Sequence, residues 1–168
     1  PLPNGELIDF VLAYDSILSP EMQAKYPELR TYTGHAVGDT SIQGRFDYTP
    51  KGFHGMFLHN GEYVYVEPKP DGSGHYVSYN HKLSSPFQDQ VLENNQAKTA
   101  QNRLASRENI ESRTYRLIVS ATGEYSRYHG GTESLTRSAI TTAINRVNQV
   151  YKSDLAVQLE LVNFNIYT

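Results

Sequence analysis

Residues 42–48 read Ile-Gln-Gly-Arg-Phe-Asp-Tyr, and this stretch decides the fold of the first half of the chain. Its apolar side chains alternate with Arg45 and Asp47, which is the period of a β-strand. The apolar members share one face of that strand and are Ile42, Phe46 and Tyr48. We therefore predict a strand with one apolar face and one charged face.

Turn residues on the C-terminal side extend this strand into a meander. Residues 49–52 read Thr-Pro-Lys-Gly, with Pro where φ is already fixed and Gly where a positive φ is tolerated. Residues 53–59 return as a strand, and Asn60-Gly61 is the pair that best suits a two-residue hairpin turn. Further strands at 62–67 and 75–82 complete an antiparallel β-meander.

The N-terminal residues add a strand, a short helix and a second strand. Residues 6–14 alternate as a strand does, and residues 29–36 form the next one before a Gly38-Asp39 turn. Between them, Ser19 and Pro20 suit the N-cap and first position of a helix that ends before Pro27.

The second half of the chain has a different pattern. Residues 86–113 are rich in Gln, Asn, Ser and Arg, and they are interpreted as a polar linker with one short helix. Residues 115–121 form an apolar run typical of a strand buried on both faces, and residues 155–162 alternate as a further strand. Between these strands lies a long helix, residues 133–152, with one apolar and buried face: Leu135, Ile140, Ala143, Ile144, Val147, Val150 and Tyr151.

These elements predict an α+β fold in three parts. Residues 1–85 form the antiparallel meander, residues 86–113 the linker, and residues 114–168 a parallel β-α-β unit. A two-stranded sheet with one helix leaves an apolar face and open edges. We therefore expect that unit to be the beginning of a larger domain, with its apolar surface covered either by downstream chain or by the meander.

The second half contains the sequence Ala-Thr-Gly-Glu-Tyr at 121–125 and a group of five residues near the helix end: Asn145, Val147, Asn148, Val150 and Tyr151. In these residues it resembles the opening of the catalytic domain of bacterial secreted reprolysin-like zinc metalloproteases, which are metzincins. The first half is similar to the pro-region of the same proteases at residues 25–34, 45–54 and 76–79.

The resemblance implies a fragment of a secreted zinc metalloendopeptidase precursor. Its pro-region would assist folding of the protease and inhibit it, and the intact enzyme would hold zinc. The implied partners are the remainder of its own catalytic domain and protein or peptide substrates. The implied location is outside the bacterial cytoplasm, either extracellular or periplasmic.

The zinc-binding motif of that family, H-E-x-x-H-x-x-G-x-x-H, is not in this sequence. None of the six His residues is followed by Glu, so we assign no catalytic and no metal-ligating residue, and we expect the chain alone to be inactive and free of zinc. A zinc site could also be assembled from His residues on different strands. The candidates are scattered, and ordinary surface or hydrogen-bonded roles are favoured for them: His35, His54, His59 and His75.

Two regulatory features are candidates on the sequence. The chain has no Cys, so a carboxylate would have to plug the zinc site of the zymogen, and Asp39 beside Gly38 is the preferred candidate over Asp71. Proteolytic processing is predicted within residues 100–114, a polar segment with three basic residues: Arg103, Arg107 and Arg113.

Composition excludes some partners and leaves one alternative function open. A net charge of −3 gives no electrostatic case for nucleic acid, and no stretch is long and apolar enough to predict a membrane span. The alternative is a non-catalytic secreted binding module that presents aromatic side chains to a polysaccharide or protein. Its candidate surface is formed by Tyr63, Tyr65 and Tyr76.

Overall fold

The first half of the chain forms the antiparallel meander that its turn residues predict. The computed structural model describes residues 1–81 and 111–167. The α+β class is confirmed, with a six-stranded antiparallel sheet and a two-stranded parallel one. The elements in chain order are β1 (Phe10–Tyr14), α1 (Pro20–Lys25), β2 (Arg30–Ala36), β3 (Asp39–Thr49), β4 (Gly52–His59), β5 (Glu62–Pro68), β6 (Tyr76–His81), β7 (Arg113–Ala121), α2 (Gly123–Tyr128), α3 (Glu133–Leu155) and β8 (Val157–Ile166).

Each strand of the large sheet pairs with its neighbours in sequence, in the order β1 to β6. The β4–β5 hairpin turns at Asn60 and Gly61, which have φ of 51° and 78°. Positive φ at both central residues is what this turn requires. Local turn chemistry therefore fixes the topology of the meander.

The apolar face of the large sheet is built around the ring of Phe46. A Cβ atom added to Gly34, Gly44 or Gly55 would lie 3.0, 3.2 or 2.9 Å from that ring, so glycine is what lets the ring lie against the backbone. Phe46 is 3% exposed and packs with Phe10, Phe53 and Phe57 at ring-centroid distances of 5.0 to 6.5 Å.

The N-terminal half also contributes to the second sheet. Strands β7 and β8 are parallel, and residues 17–19 run alongside β8. The N–H of Ser19 donates to the carbonyl of Leu161 at 2.8 Å. The N–H of Leu161 donates to the carbonyl of Ile17 at 2.7 Å. Both halves share one apolar core, formed by Ile17, Leu18, Met22, Leu29, Ala121, Ile140 and Leu161.

The structure corrects three expectations about the second half. Strand β7 is covered on one face only: Leu117 and Val119 pack against the core, whereas Ile118 on the other face is 56% exposed, because no element within the described ranges packs over it. Leu155 belongs to α3, and the left-handed backbone of Ala156 ends the helix, so β8 begins two residues later than predicted. Helix α2 was not predicted.

Other boundaries differ less. Strand β1 begins at Phe10, so residues 6–9 precede it, and helix α1 has the predicted Ser19 N-cap, whose side chain accepts from the N–H of Met22. Most of the predicted linker, with the short helix considered there, lies outside the described residues.

Candidate functional site

Helix α3 buries its polar side as well as part of its apolar side. The prediction of a single buried apolar face is wrong, because Ala143 is exposed and Tyr151 is 39% exposed. The polar residues buried along the helix are Thr136, Ser138, Thr141, Thr142, Asn145 and Asn148. The physical reason is that α3 packs against both sheets, contacting β8 of the small sheet and strands β3 and β4 of the large one. We call the contact with the large sheet the polar interface.

Asn145 is at the centre of the polar interface. Its Oδ1 accepts a 2.8 Å hydrogen bond from Nε of Arg45, and its Nδ2 donates to the backbone carbonyl of Phe46 at 2.9 Å. Asn145 is 1% exposed, so both ends of its amide are satisfied away from water. This pairing joins the helix to the charged face of β3.

The charge of Arg45 is balanced by Asp15. Nη1 and Nη2 of Arg45 lie 2.8 and 2.9 Å from Oδ2 of Asp15. Burial lowers the pKa of Arg45, and the Asp15 carboxylate opposes that shift. Lys152 at the end of α3 lies 3.7 Å from the same carboxylate oxygen. A buried cation that is paired in this way costs far less than an unpaired one.

Asp47 forms a second junction with the helix. Its Oδ1 accepts from the hydroxyl of Thr142 at 2.8 Å, and Nδ1 of His54 lies 3.0 Å from the same oxygen. Because a carboxylate only accepts hydrogen bonds, Nδ1 of His54 is the nitrogen that carries the shared proton. Asp47 is 1% and His54 8% exposed, so this junction is buried.

Glu67 and Arg146 form the third junction, 2.7 Å apart. Burial disfavours the Glu67 carboxylate, but the hydrogen bond and charge of Arg146 outweigh it, so the pKa of Glu67 lies below its usual value. The Arg146 guanidinium lies 5.1 Å from the centroid of the Tyr65 ring, which stacks on Tyr79 at 5.5 Å. A cation over an aromatic face is a further attraction between helix and sheet.

Asn148 ties the same helix to its own strand. Its Nδ2 donates to the carbonyl of Leu159 at 2.9 Å, and the N–H of Leu159 donates to its Oδ1 at 2.7 Å. Asn145 and Asn148 are three residues apart, so they lie on one side of α3. Within one turn, the helix is therefore hydrogen-bonded to the large sheet and to β8.

The residues predicted from sequence lie elsewhere. Asp39 is exposed at the start of β3, where its carboxylate accepts from the N–H and hydroxyl of Ser41 at 3.0 and 2.6 Å, and these bonds lower its pKa. Arg113 is the first residue of β7, and its N–H donates to the carbonyl of Ala156. Arg103 and Arg107 lie outside the described residues.

Sequence reasoning did not identify the three junctions as a site. Arg45 and Asp47 were recognised only as the charged face of a strand, and Asn145 only as part of a resemblance. The usable signal was the number of small polar residues inside α3, since Thr and Asn are poor helix formers unless their side chains have partners.

The tyrosine surface considered from sequence does not form. Tyr65 stacks with Tyr79, and Tyr79 lies directly opposite it in the β5–β6 register. Tyr76 lies opposite Pro68, and therefore on the other face of the sheet. There its hydroxyl accepts from the N–H of Phe53 at 3.2 Å.

The residues present do not fit a catalytic metal site. Within residues 1–81 and 111–167, no three His, Cys, Asp or Glu side chains are placed so that they could hold a metal ion. We therefore derive no catalytic step for this chain. In the same two ranges, no helix has the length and apolar character needed to cross a membrane.

Comparison with known proteins finds a similarity in the second half. Residues 111–168, about a third of the chain, match the family model of metallo-peptidase family M12B, reprolysin-like. The match includes α3 and therefore the helical side of the polar interface. No curated protein matches the chain. The matched segment is therefore similar to reprolysin-like metallopeptidases.

Proposed function

We propose that this chain is the front part of a secreted zinc metalloendopeptidase precursor, and that its six-stranded sheet is a pro-region. In this proposal the sheet holds the beginning of the catalytic domain in its folded arrangement and keeps the enzyme silent until the two are separated by proteolysis. Zinc and its three His ligands would come from the part of the protein that follows Thr168.

The polar interface is the observation that carries the proposal. It joins the sheet, which lies outside the matched segment, to a helix that lies inside it. Its contacts are mostly hydrogen bonds and ion pairs, such as the Arg45–Asn145 and Glu67–Arg146 pairs. Polar groups of this kind can be rehydrated when an interface opens, whereas a purely apolar contact would leave a sticky surface.

The folding role follows from the β-α-β unit itself. Two strands and one helix bury too little surface to be stable alone. Residues 17–19 extend the small sheet at β8, and Ile17 is fully buried in the shared core. The first half therefore supplies part of the core that the unit lacks, which supports a role as folding assistant.

Asp39 remains the proposed carboxylate plug. It is exposed at a hairpin, and its pKa is lowered by hydrogen bonds from Ser41, so it is ionised at neutral pH. An exposed carboxylate that is already negative is suited to meet a cationic metal. We expect a precursor with Asp39→Ala to show peptidase activity before processing, and equal silence of variant and wild type would remove Asp39 from the proposal.

The proposal is tested first in the source gene. We expect an in-frame H-E-x-x-H-x-x-G-x-x-H motif downstream of the codon for Thr168. An open frame that ends without these ligands would remove the zinc chemistry and leave a non-catalytic binding module as the better account.

The pro-region role is tested by expressing the long protein without residues 1–110, alone and with residues 1–110 co-expressed as a separate chain. We expect little soluble protease alone, recovery with the separate chain, and less recovery when that chain carries Arg45→Ala and Asp47→Ala. Lys25→Ala in the separate chain is the matched control, since Lys25 is exposed and outside the polar interface. Equal yields of active protease in all cases would contradict the role.

A further inference from the structure

A second feature lies beside the polar interface, between the large sheet and the loop that joins α2 to α3. It is a cleft of about 1120 Å³. The sheet side is formed by the β3–β4 turn and the residues that follow β5, and the helical side by α2 and the first half of α3. Residues that define its two walls include Lys51, Pro68, Lys69, Tyr125, His129 and Arg146.

The charge of this cleft is opposite to that of the chain. The chain has a net charge of −3, whereas the cleft is lined by three permanent cations and a single carboxylate, Glu67. Glu67 is already paired with Arg146 at 2.7 Å. Lys51 and Lys69 have no ion-pair partner in the part of the chain that the structure describes. The cleft therefore has a net positive charge.

Lys51 and His129 meet across the cleft. Nζ of Lys51 lies 3.2 Å from Nδ1 of His129, so the ammonium donates to a neutral ring nitrogen. Burial lowers the pKa of Lys51, and the charge of Glu67 only partly offsets this. Burial and the neighbouring Lys51 lower the pKa of His129. Both shifts disfavour a positive charge at this point, which a carboxylate placed against the two side chains would reverse.

The walls also carry apolar surface. Pro50, Pro68 and Pro70 line the sheet side, and Tyr128 on the helical side is 85% exposed beside His129. Sites for drug-sized ligands have volumes of about 300 to 1,000 Å³. A cleft somewhat above that range, with apolar walls around cations, is suited to several residues of an extended chain rather than to one small anion.

We propose that this cleft binds an extended peptide with acidic and apolar residues, one carboxylate of which is seated against Lys51 and His129. The carboxylate accepts from the Lys51 ammonium and from the Nε2–H of the neutral His129 ring. The apolar side chains pack on the prolines and on Tyr128. The site does not depend on the protease proposal, because all its residues are described here. It exists only while the sheet and the helical unit remain packed together.

The test uses the full 168-residue chain and two fluorescein-labelled hexapeptides. One contains Glu, Pro and Leu, and the other has Gln in place of each Glu. Fluorescence anisotropy at about physiological ionic strength measures both dissociation constants. We expect the Glu peptide to bind about tenfold or more tightly than the Gln peptide, since one charge-assisted hydrogen bond is worth at least that factor.

Two variants and one control locate the site. Lys51→Gln and His129→Gln should each weaken the Glu peptide about tenfold, and Lys51→Arg should keep most of the affinity. Lys25→Gln is the matched control, because it removes an exposed cation outside the cleft. Thermal unfolding shows whether Lys51→Gln or His129→Gln has lost its fold. If one of them has, the affinity of the other variant tests the site.

Several results would overturn the proposal. These are equal binding of the Glu and Gln peptides, equal effects of Lys51→Gln and Lys25→Gln, or no binding at millimolar peptide. Complete displacement of the peptide by inorganic phosphate at a concentration near the peptide's own dissociation constant would also overturn it, since the cleft would then be a small-anion site.

Discussion

Arg45 and Asn145 are 100 residues apart in sequence, and Nε of one donates to Oδ1 of the other over 2.8 Å. The first lies in the sheet and the second in the helix of the segment that matches a metallopeptidase family. This hydrogen bond shows that the two halves of the chain are parts of one folded arrangement. It also identifies which face of α3 the sheet covers.

Asn145→Ala should destabilise the whole chain. The substitution leaves Nε of Arg45 and the carbonyl of Phe46 without their partner in a buried place. We expect a loss of about 2 to 4 kcal/mol in the free energy of unfolding, the usual cost of unsatisfied buried polar groups. Urea unfolding followed by circular dichroism measures it. Asn165→Ala, at an exposed Asn, is the control, and an equal effect of the two would contradict the central role of Asn145.

Asp47 and Thr142 should be energetically coupled. Their side chains share a 2.8 Å hydrogen bond between β3 and α3, and both are buried. In a double-mutant cycle with Asp47→Ala and Thr142→Val, we expect a coupling of about 1 to 3 kcal/mol. A coupling near zero, with both single variants folded, would mean that the helix does not rest on this carboxylate.

Acid should weaken the contact between the sheet and α2. The pKa of His129 in the folded chain is lowered from 6.5 by burial and by Lys51, so the unfolded chain takes up a proton at a higher pH than the folded one. The contribution of neutral His129 to the free energy of unfolding is therefore fully present above pH 6.5. It is lost as the pH falls through the pKa that His129 has in the folded chain.

The measurement is the urea midpoint at several pH values from 7.5 down to 5. We expect His129→Gln to reduce the fall in midpoint over this window, whereas His75→Gln, at an exposed position, should leave it unchanged. Identical slopes for wild type and His129→Gln would rule out His129 as the titrating group.

Processing of the precursor is expected within residues 100–114. Arg113 opens β7, where its N–H is bonded to Ala156, so a cut directly after Arg113 would leave all but the first residue of that strand in the mature enzyme. Cuts at Arg103 or Arg107 would leave the strand complete. N-terminal sequencing of the secreted mature protein tests this, and a first residue outside the window would contradict it.

Local signals in the sequence predicted most of the fold. The Asn60-Gly61 turn, the Ser19 cap and the alternation around Phe46 each depend on neighbouring residues, so they could be interpreted without a structure. The polar interface could not be predicted in the same way. Asn145 finds its partner 100 residues away, and helical periodicity identifies apolar residues rather than polar ones that acquire buried partners.

Two of the corrections in the second half have causes that the sequence itself explains. The apolar run at 115–121 indicates which side chains can be buried, but not whether another element covers them. Ile118 was therefore predicted to be buried, although it is exposed. Helix α2 has a local signal in Thr122, whose side chain accepts from the N–H of Tyr125.

The most direct test of the account is to ask whether the two halves hold together without the chain that links them. A site for a specific protease is placed between residues 82 and 110 of the 168-residue chain, and the cut product is examined by native mass spectrometry and size-exclusion chromatography. We expect the two pieces to stay associated at micromolar concentration, and to separate when Arg45→Ala and Asn145→Ala are combined. Immediate separation of the unsubstituted pieces, each still folded, would contradict the conclusion that the sheet holds α3.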